Sequence, residues 1–217
     1  MNRSKGHEAT VFYQALSAGT ADATAELYSR IFLLDEPMTR RHAIDPGVFL
    51  PCARFYLRFC SEQQLSFIAL EQENRDVVGF ALGSDLTTDW ESSGPEMAAL
   101  VSLFRESMAI LEEVEHRCPD LRDIQPGTVL HIFQLGVRRD FRGQGLSIAL
   151  IHRILAEAKR RGFRKVIADC TGPASRRSCE RCGFREAAHV SYDDFQVDGK
   201  AFFRGLPGRI SLMTRDL

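Results

Sequence analysis

Residues 129–150 limit what this chain can fold into more than any other stretch. Val129, Leu130, Ile132, Phe133, Leu135 and Val137 form an apolar run rich in strand formers and short enough to be one buried strand. A basic, glycine-bearing turn follows, from Arg138 to Gly145. Leu146, Leu150, Ile154 and Ala158 then recur at four-residue spacing, with Ile151 and Leu155 beside them, as on the buried face of a helix. Strand, glycine turn and helix start, in that order, aim free backbone N–H groups and the positive end of a helix dipole at one point. The expected guest is an anion, most often a phosphate.

Three phosphate-binding motifs share this layout. The dinucleotide fingerprint needs a third glycine after Gly143 and Gly145, and none follows at its place. The nucleoside-triphosphate loop needs Gly-Lys-Ser/Thr, which is absent. Arg142-Gly143-Gln144-Gly145-Leu146-Ser147 resembles the third, the Gln/Arg-x-x-Gly-x-Gly/Ala pyrophosphate loop of the GNAT N-acetyltransferases, which bind acetyl-coenzyme A. Ser147 stands where that family prefers Gly or Ala, and is small enough to let a pyrophosphate approach.

Composition narrows the field. A net charge of −1 over 217 residues argues against a nucleic-acid binder working by bulk charge. No apolar run reaches the length of a membrane span, and the polar residues 1–7 lack a signal-peptide core. The six cysteines are expected as free thiols in a cytoplasmic protein. Cys179-x-x-Cys182 lacks a second Cys/His pair at zinc spacing, so no metal is expected.

In order, the chain predicts a strand at 10–16 and a helix whose face carries Ala25, Leu27, Tyr28, Ile31, Phe32 and Leu34. Asp35-Glu36-Pro37 stops that helix, because the residue before proline is pushed out of helical geometry. Asp45-Pro46 opens a second helix to about residue 61. A hairpin at 65–82 follows, then a polar loop with Trp90, and one helix over 96–118 ended by Pro119. After the organising strand and helix come a fifth strand at 165–170, a short helix near 175–181, and strands near 187–192 and 210–214. This is a single α/β domain over 1–217 with 96–118 as a helical insertion, and its element order is that of the GNAT fold. The resemblance implies a mixed, mostly antiparallel twisted sheet flanked by helices and splayed between its fourth and fifth strands.

Further residues extend the resemblance. A strand, a short helix and Gly183-Phe184 look like the second GNAT signature. Phe32-Leu33-Leu34-Asp35-Glu36-Pro37-Met38 is similar to the Asp-Glu-Pro-Leu segment of insect arylalkylamine N-acetyltransferases, whose glutamate is the general base. The tail 190–203 resembles their closing hairpin. Glu36 is therefore the first candidate base. His131 is the rival, matching one of two strand histidines of the vertebrate serotonin-type enzymes; its spacing places it on one face with Phe133 and Leu135. Either residue also has a plain reading, as a solvated helix-end charge or a packed histidine.

The splayed strand implies that backbone groups of Leu135, Gly136 and Val137 pair with the pantetheine arm and polarise the thioester carbonyl. Arg142, Gly143, Gln144, Gly145, Leu146 and Ser147 would hold the pyrophosphate. Many GNAT enzymes protonate the departing thiolate with a tyrosine four residues before the signature glycine; here that position is Cys179. Insect-type enzymes use serines, and the counterparts are Thr171 and Ser175, which equally suit capping a helix near Arg176. Asp35, Glu36, Asp193 and Asp194 would attract an amine, and Phe32, Phe133 and Tyr192 would wall its apolar body. The expected activity is acetylation of a small-molecule primary amine by a monomer or homodimer. The alternatives are an acetyl-coenzyme A sensor without turnover and a protein N-terminal acetyltransferase.

Overall fold

The computed structural model describes residues 10–217; the polar segment 1–7 lies outside the described residues. Seven strands form one sheet: β1 (Val11–Ala15), β2 (Phe67–Glu71), β3 (Val77–Asp85), β4 (Val129–Val137), β5 (Lys165–Cys170), β6 (Arg185–Ser191) and β7 (Arg209–Asp216). Their order is β1-β2-β3-β4-β5-β7-β6, and every neighbouring pair is antiparallel except β4–β5. The expected mixed, mostly antiparallel sheet is present.

Local chemistry sets the helices on the N-terminal side. Helix α1 (Ala18–Asp35) ends where Glu36 turns extended before Pro37. A six-residue helix, α2 (Pro37–His42), follows at once; it is too short to show as periodicity and was not expected. Pro46 starts α3 (Pro46–Gln63), with Asp45 Oδ1 accepting the Gly47 N–H at 2.7 Å.

The segment 96–118, expected as one helix, differs from expectation. It is two helices, α4 (Pro95–Leu103) and α5 (Arg105–His116), broken at Phe104 with φ −115° and ψ 26°. Met97 and Leu100 of α4 bury with α1 and α3, whereas Ile110 and Val114 of α5 bury against β5, β6 and β7. One straight helix cannot serve both cores, and Phe104 turns the chain, packing edge-on to Phe49 at 5.7 Å. Two helices complete the C-terminal side, α6 (Leu146–Arg160) and α7 (Pro173–Arg181).

The core is divided unevenly. On the α6 face one continuous cluster runs from Ala69 and Val78 through Leu130 and Ile154 to Val166 and Met213. On the opposite face the apolar residues form two clusters, one beneath α1 and α3, the other beneath α5.

Two irregularities of β4 shape the centre. It pairs with β5 only from Val129↔Lys165 to Ile132↔Ala168, and beyond that the strands part. Opposite β3 the register jumps from Leu82↔Gln134 to Gly83↔Ile132, so Phe133 is a bulge. The extra residue reverses the alternation: Ile132 and Leu135 both face α6, while Gln134 meets Tyr56 on the other face. His131 and Phe133 do come together, with ring centroids 3.8 Å apart, but Leu135 does not share their face as a regular strand would require.

Candidate active site

Where β4 and β5 part, a cavity of about 730 Å³ runs from the glycine turn to α5. At one end, Gly143 and Gly145 take φ of +80° and +84°, left-handed values that favour glycine. A Cβ at either would meet nothing within 4 Å, so the space above the turn is open. Gly145 precedes α6 as its N-cap and its C=O accepts the Ala149 N–H at 3.1 Å, which leaves the first-turn N–H groups without helical partners. Arg142, Gly143, Gly145, Leu146 and Ser147 line the cavity; Gln144 turns back, donating to the Asp140 carbonyl at 3.3 Å. Ser147 Oγ lies 3.0 Å from Ser178 Oγ, tying α6 to α7. Arg177 and Arg181, four apart on α7, add positive charge to the lining and were missed, although their i, i+4 spacing was there to read.

The strand gap offers backbone groups, with one correction. Arg138 N–H donates to Val78 O at 2.8 Å, so by antiparallel alternation Gly136 also faces β3, while Leu135 and Val137 turn into the gap. Gly136 is therefore not one of the open groups. Its missing side chain makes room for Phe80 instead, whose Cε1 would stand 2.7 Å from an added Cβ.

The sequence places Asp35 and Glu36 together, and the structure gives them different work. Asp35 does not face an amine as a free charge. Arg139 pairs with its Oδ1, and Arg142 Nη2 lies 2.6 Å from its Oδ2. Hydrogen bonding to Arg139, reinforced by Arg142, outweighs burial and lowers its pKa to about 2. Since the folded value lies below the unfolded one of about 3.9, this latch stabilises the fold above about pH 4 and fades as pH falls toward 2. Asp35→Asn should lower the urea midpoint at neutral pH, and the gap from the parent protein should close in acid; a gap unchanged by pH would refute the linkage.

Glu36 lines the cavity and caps α2, accepting the Met38 N–H at 3.1 Å and the Thr39 N–H at 2.5 Å. Phe32 and Phe133 stand in the wall as expected, joined by Tyr28, Tyr56, Trp90 and Phe104. Tyr192 does not: it is fully buried and its hydroxyl donates to the Thr171 carbonyl at 2.9 Å. Asp193 and Asp194 are exposed residues outside the lining, and Asp193 accepts the Gly205 N–H. The α4–α5 wall adds Met97, Leu100, Val101, Met108 and Leu111.

Thr171 and Ser175 both line the cavity. Helix α7 begins at Pro173 rather than near Arg176, and Ser175 Oγ donates to the Gly172 carbonyl at 3.0 Å. Cys179 is buried, 3.6 Å from the Cys170 sulfur, and puts no acid in the cavity. His131 is fully buried behind the wall, its Nε2 2.6 Å from Asp169 Oδ2 and its Nδ1 4.0 Å from Glu115 Oε1. Burial acts to lower its pKa, but the charge and hydrogen bond of Asp169, with Glu115 beyond, raise it overall.

A glycine turn at a helix N-terminus, an open strand edge and a carboxylate thus meet in one cavity. A family model described as the acetyltransferase (GNAT) family matches residues 25–184. The chain belongs to the GNAT acetyltransferases. Among curated proteins none matches the sequence. Among solved structures, arylalkylamine N-acetyltransferase 2 of Aedes aegypti is similar at 23% identity and TM-score 0.79, over 95% of this chain and 99% of that one. The polyamine N-acetyltransferase of Drosophila melanogaster, described as forming N-acetylagmatine, is 19% identical with TM-score 0.66 over 96% and 99%. A Salmonella typhimurium acetyltransferase structure with its cofactor acetyl-CoA is 16% identical with TM-score 0.58 over 96% and 94%. These likenesses establish that the GNAT fold is shared. No helix among the described residues is long and apolar enough to cross a membrane.

Proposed function

We propose that this GNAT enzyme transfers acetyl from acetyl-coenzyme A to the primary amine of a small molecule with an apolar, aryl-alkyl body, using Glu36 as base. The observation that carries the reading is the single cavity with the glycine turn at one end and Glu36 within aromatic walls further in. Acetyl-coenzyme A fits the donor side: open N–H groups and arginines suit a pyrophosphate, and the β4 edge beyond Ile132, where Leu135 and the N–H of Val137 face the gap while the Val137 carbonyl accepts from Arg142 Nε at 2.9 Å, suits an amide-bearing arm. An N–H on that edge would polarise the carbonyl under attack.

A primary ammonium must lose a proton before it attacks; of the carboxylates on the lining, Asp35 is held by Arg139 and Arg142 and Asp169 by His131, whereas Glu36 accepts only backbone N–H groups. His131 is less suited, being fully enclosed and biased toward its charged form. Thr171 and Ser175 stand on the cavity wall with hydroxyls for the thiolate side.

The aryl reading draws on the aromatic wall and on Asp193 and Asp194 lying outside it, where they give a second ammonium no partner. Each buried methylene contributes about 0.8 kcal/mol, so kcat/KM should climb several-fold per methylene along an aryl-alkyl series until the wall is filled. A panel of amines with acetyl-coenzyme A, followed by free-thiol release, tests the reading. Tryptamine should exceed spermidine. Spermidine ahead by about tenfold would overturn the aryl assignment, and no thiol release with any amine would overturn acetyl transfer itself.

A further inference from the structure

The sheet parts immediately after Ile132↔Ala168, so the next residue of β5, Asp169, stands at the apex of the gap. Asp169 lines the cavity, yet its side chain is only 3% exposed. Oδ2 takes the His131 contact at 2.6 Å, while Oδ1 is buried with no hydrogen-bond partner among the described residues. A buried carboxylate oxygen without a donor is costly, and in native proteins such an atom marks strain or function.

The surrounding charges say which donor it lacks. Glu115 of α5 approaches His131 from the other side, and burial raises its pKa. Two acidic side chains thus flank one histidine, and the atom left over on the cavity-lining residue is an acceptor, Asp169 Oδ1, which calls for an N–H donor. A metal ion does not fit between the closest pair, because 2.6 Å is a hydrogen-bond distance and a bridging ion would hold the two atoms well apart. An ammonium group fits: it is a cation with N–H donors of hydrogen-bond length. Phe133, whose ring covers His131 and meets Trp90 at 5.3 Å, supplies an apolar surface for the carbon next to it.

We propose that Asp169, held in place by His131, is the subsite that binds the ammonium head of the acceptor before Glu36 takes its proton. This rests on the acetyl-transfer reading above. It makes the acceptor specifically a cation on arrival and fixes its nitrogen at the strand gap, beside the open edge of β4. His131 then acts through Asp169 as a positioning residue, which accounts for its burial at a place where a base would need access.

The test compares tryptamine with tryptophol, which replaces the ammonium by a hydroxyl on the same body. By calorimetry with coenzyme A present, the unmodified protein should bind tryptamine at least tenfold more tightly, and Asp169→Asn should bring the ratio close to one. Asp169→Glu, which keeps the charge, should restore part of the preference. Melting temperature and acetyl-coenzyme A affinity serve as controls for folding. A folded Asp169→Asn protein that keeps the full preference overturns the subsite and leaves acetyl transfer standing. Should that variant fail to fold, the unmodified protein still decides: equal affinity for the two ligands also overturns it. An unmodified protein that releases no thiol with any amine refutes the acetyl-transfer reading, a result distinct from either.

Discussion

Gly145→Glu is expected to abolish acetyl-coenzyme A binding in a chain that still folds. The backbone at Gly145 sits at φ +84°, where a side chain costs about 1–2 kcal/mol, and no atom lies within 4 Å of where its Cβ would stand. The new side chain therefore meets no steric wall and occupies the space above the α6 N-terminus. There its carboxylate takes up the first-turn N–H groups and repels the pyrophosphate that would use them. Gly145→Ala separates the two effects, since it carries the backbone strain without the charge and should weaken binding only modestly. Calorimetry against acetyl-coenzyme A reads the difference. Undiminished binding by a folded Gly145→Glu protein would show that the turn is not the pyrophosphate site.

Glu36→Gln is expected to lower turnover by about 10²–10⁴-fold while leaving acetyl-coenzyme A affinity nearly unchanged. The acidic limb of the pH–rate profile should vanish with it. Glu36 also accepts two N–H groups at the start of α2, so the substitution disturbs a cap worth about 1 kcal/mol, and the melting temperature must be recorded beside the rate. Glu36→Asp is the useful companion: it keeps the charge and withdraws it from the cavity by one methylene. His131→Ala should act differently, changing amine affinity more than the limb. If Glu36→Gln is nearly normal and His131→Ala loses the limb, the histidine is the base.

Features decided within a few residues were legible in the sequence. The glycine turn, the Asp45-Pro46 helix start and the stop at Pro37 each follow from local backbone rules, and all three stand where expected. The GNAT order of elements, and with it the family, followed from them. What escaped depends on partners distant in sequence. Nothing near Phe133 announces a bulge, because the register is set against Leu82 and Gly83 on β3. Phe104 breaks the segment between α4 and α5 because its halves bury in two separate cores. Asp35 looks like a free acid until the fold brings Arg139 and Arg142 to it, more than a hundred residues later. Asp169 and Glu115 gave no signal, since only the sheet and α5 bring them to His131.

The uneven division of the core bears on how such a cavity can change over generations. The continuous cluster on the α6 face binds both halves of the sheet together like the spine of a book, and none of Ala69, Val78, Ile154, Val166 or Met213 in it lines the cavity. Trp90, Val101, Met108, Leu111 and Phe133 are pages rather than spine: they line the cavity, lie outside the fully buried set, and are free of the task of joining the halves. Substitutions among them can therefore redraw the acceptor while the fold tolerates the change, so a shift to a new amine needs few mutations and little loss of stability.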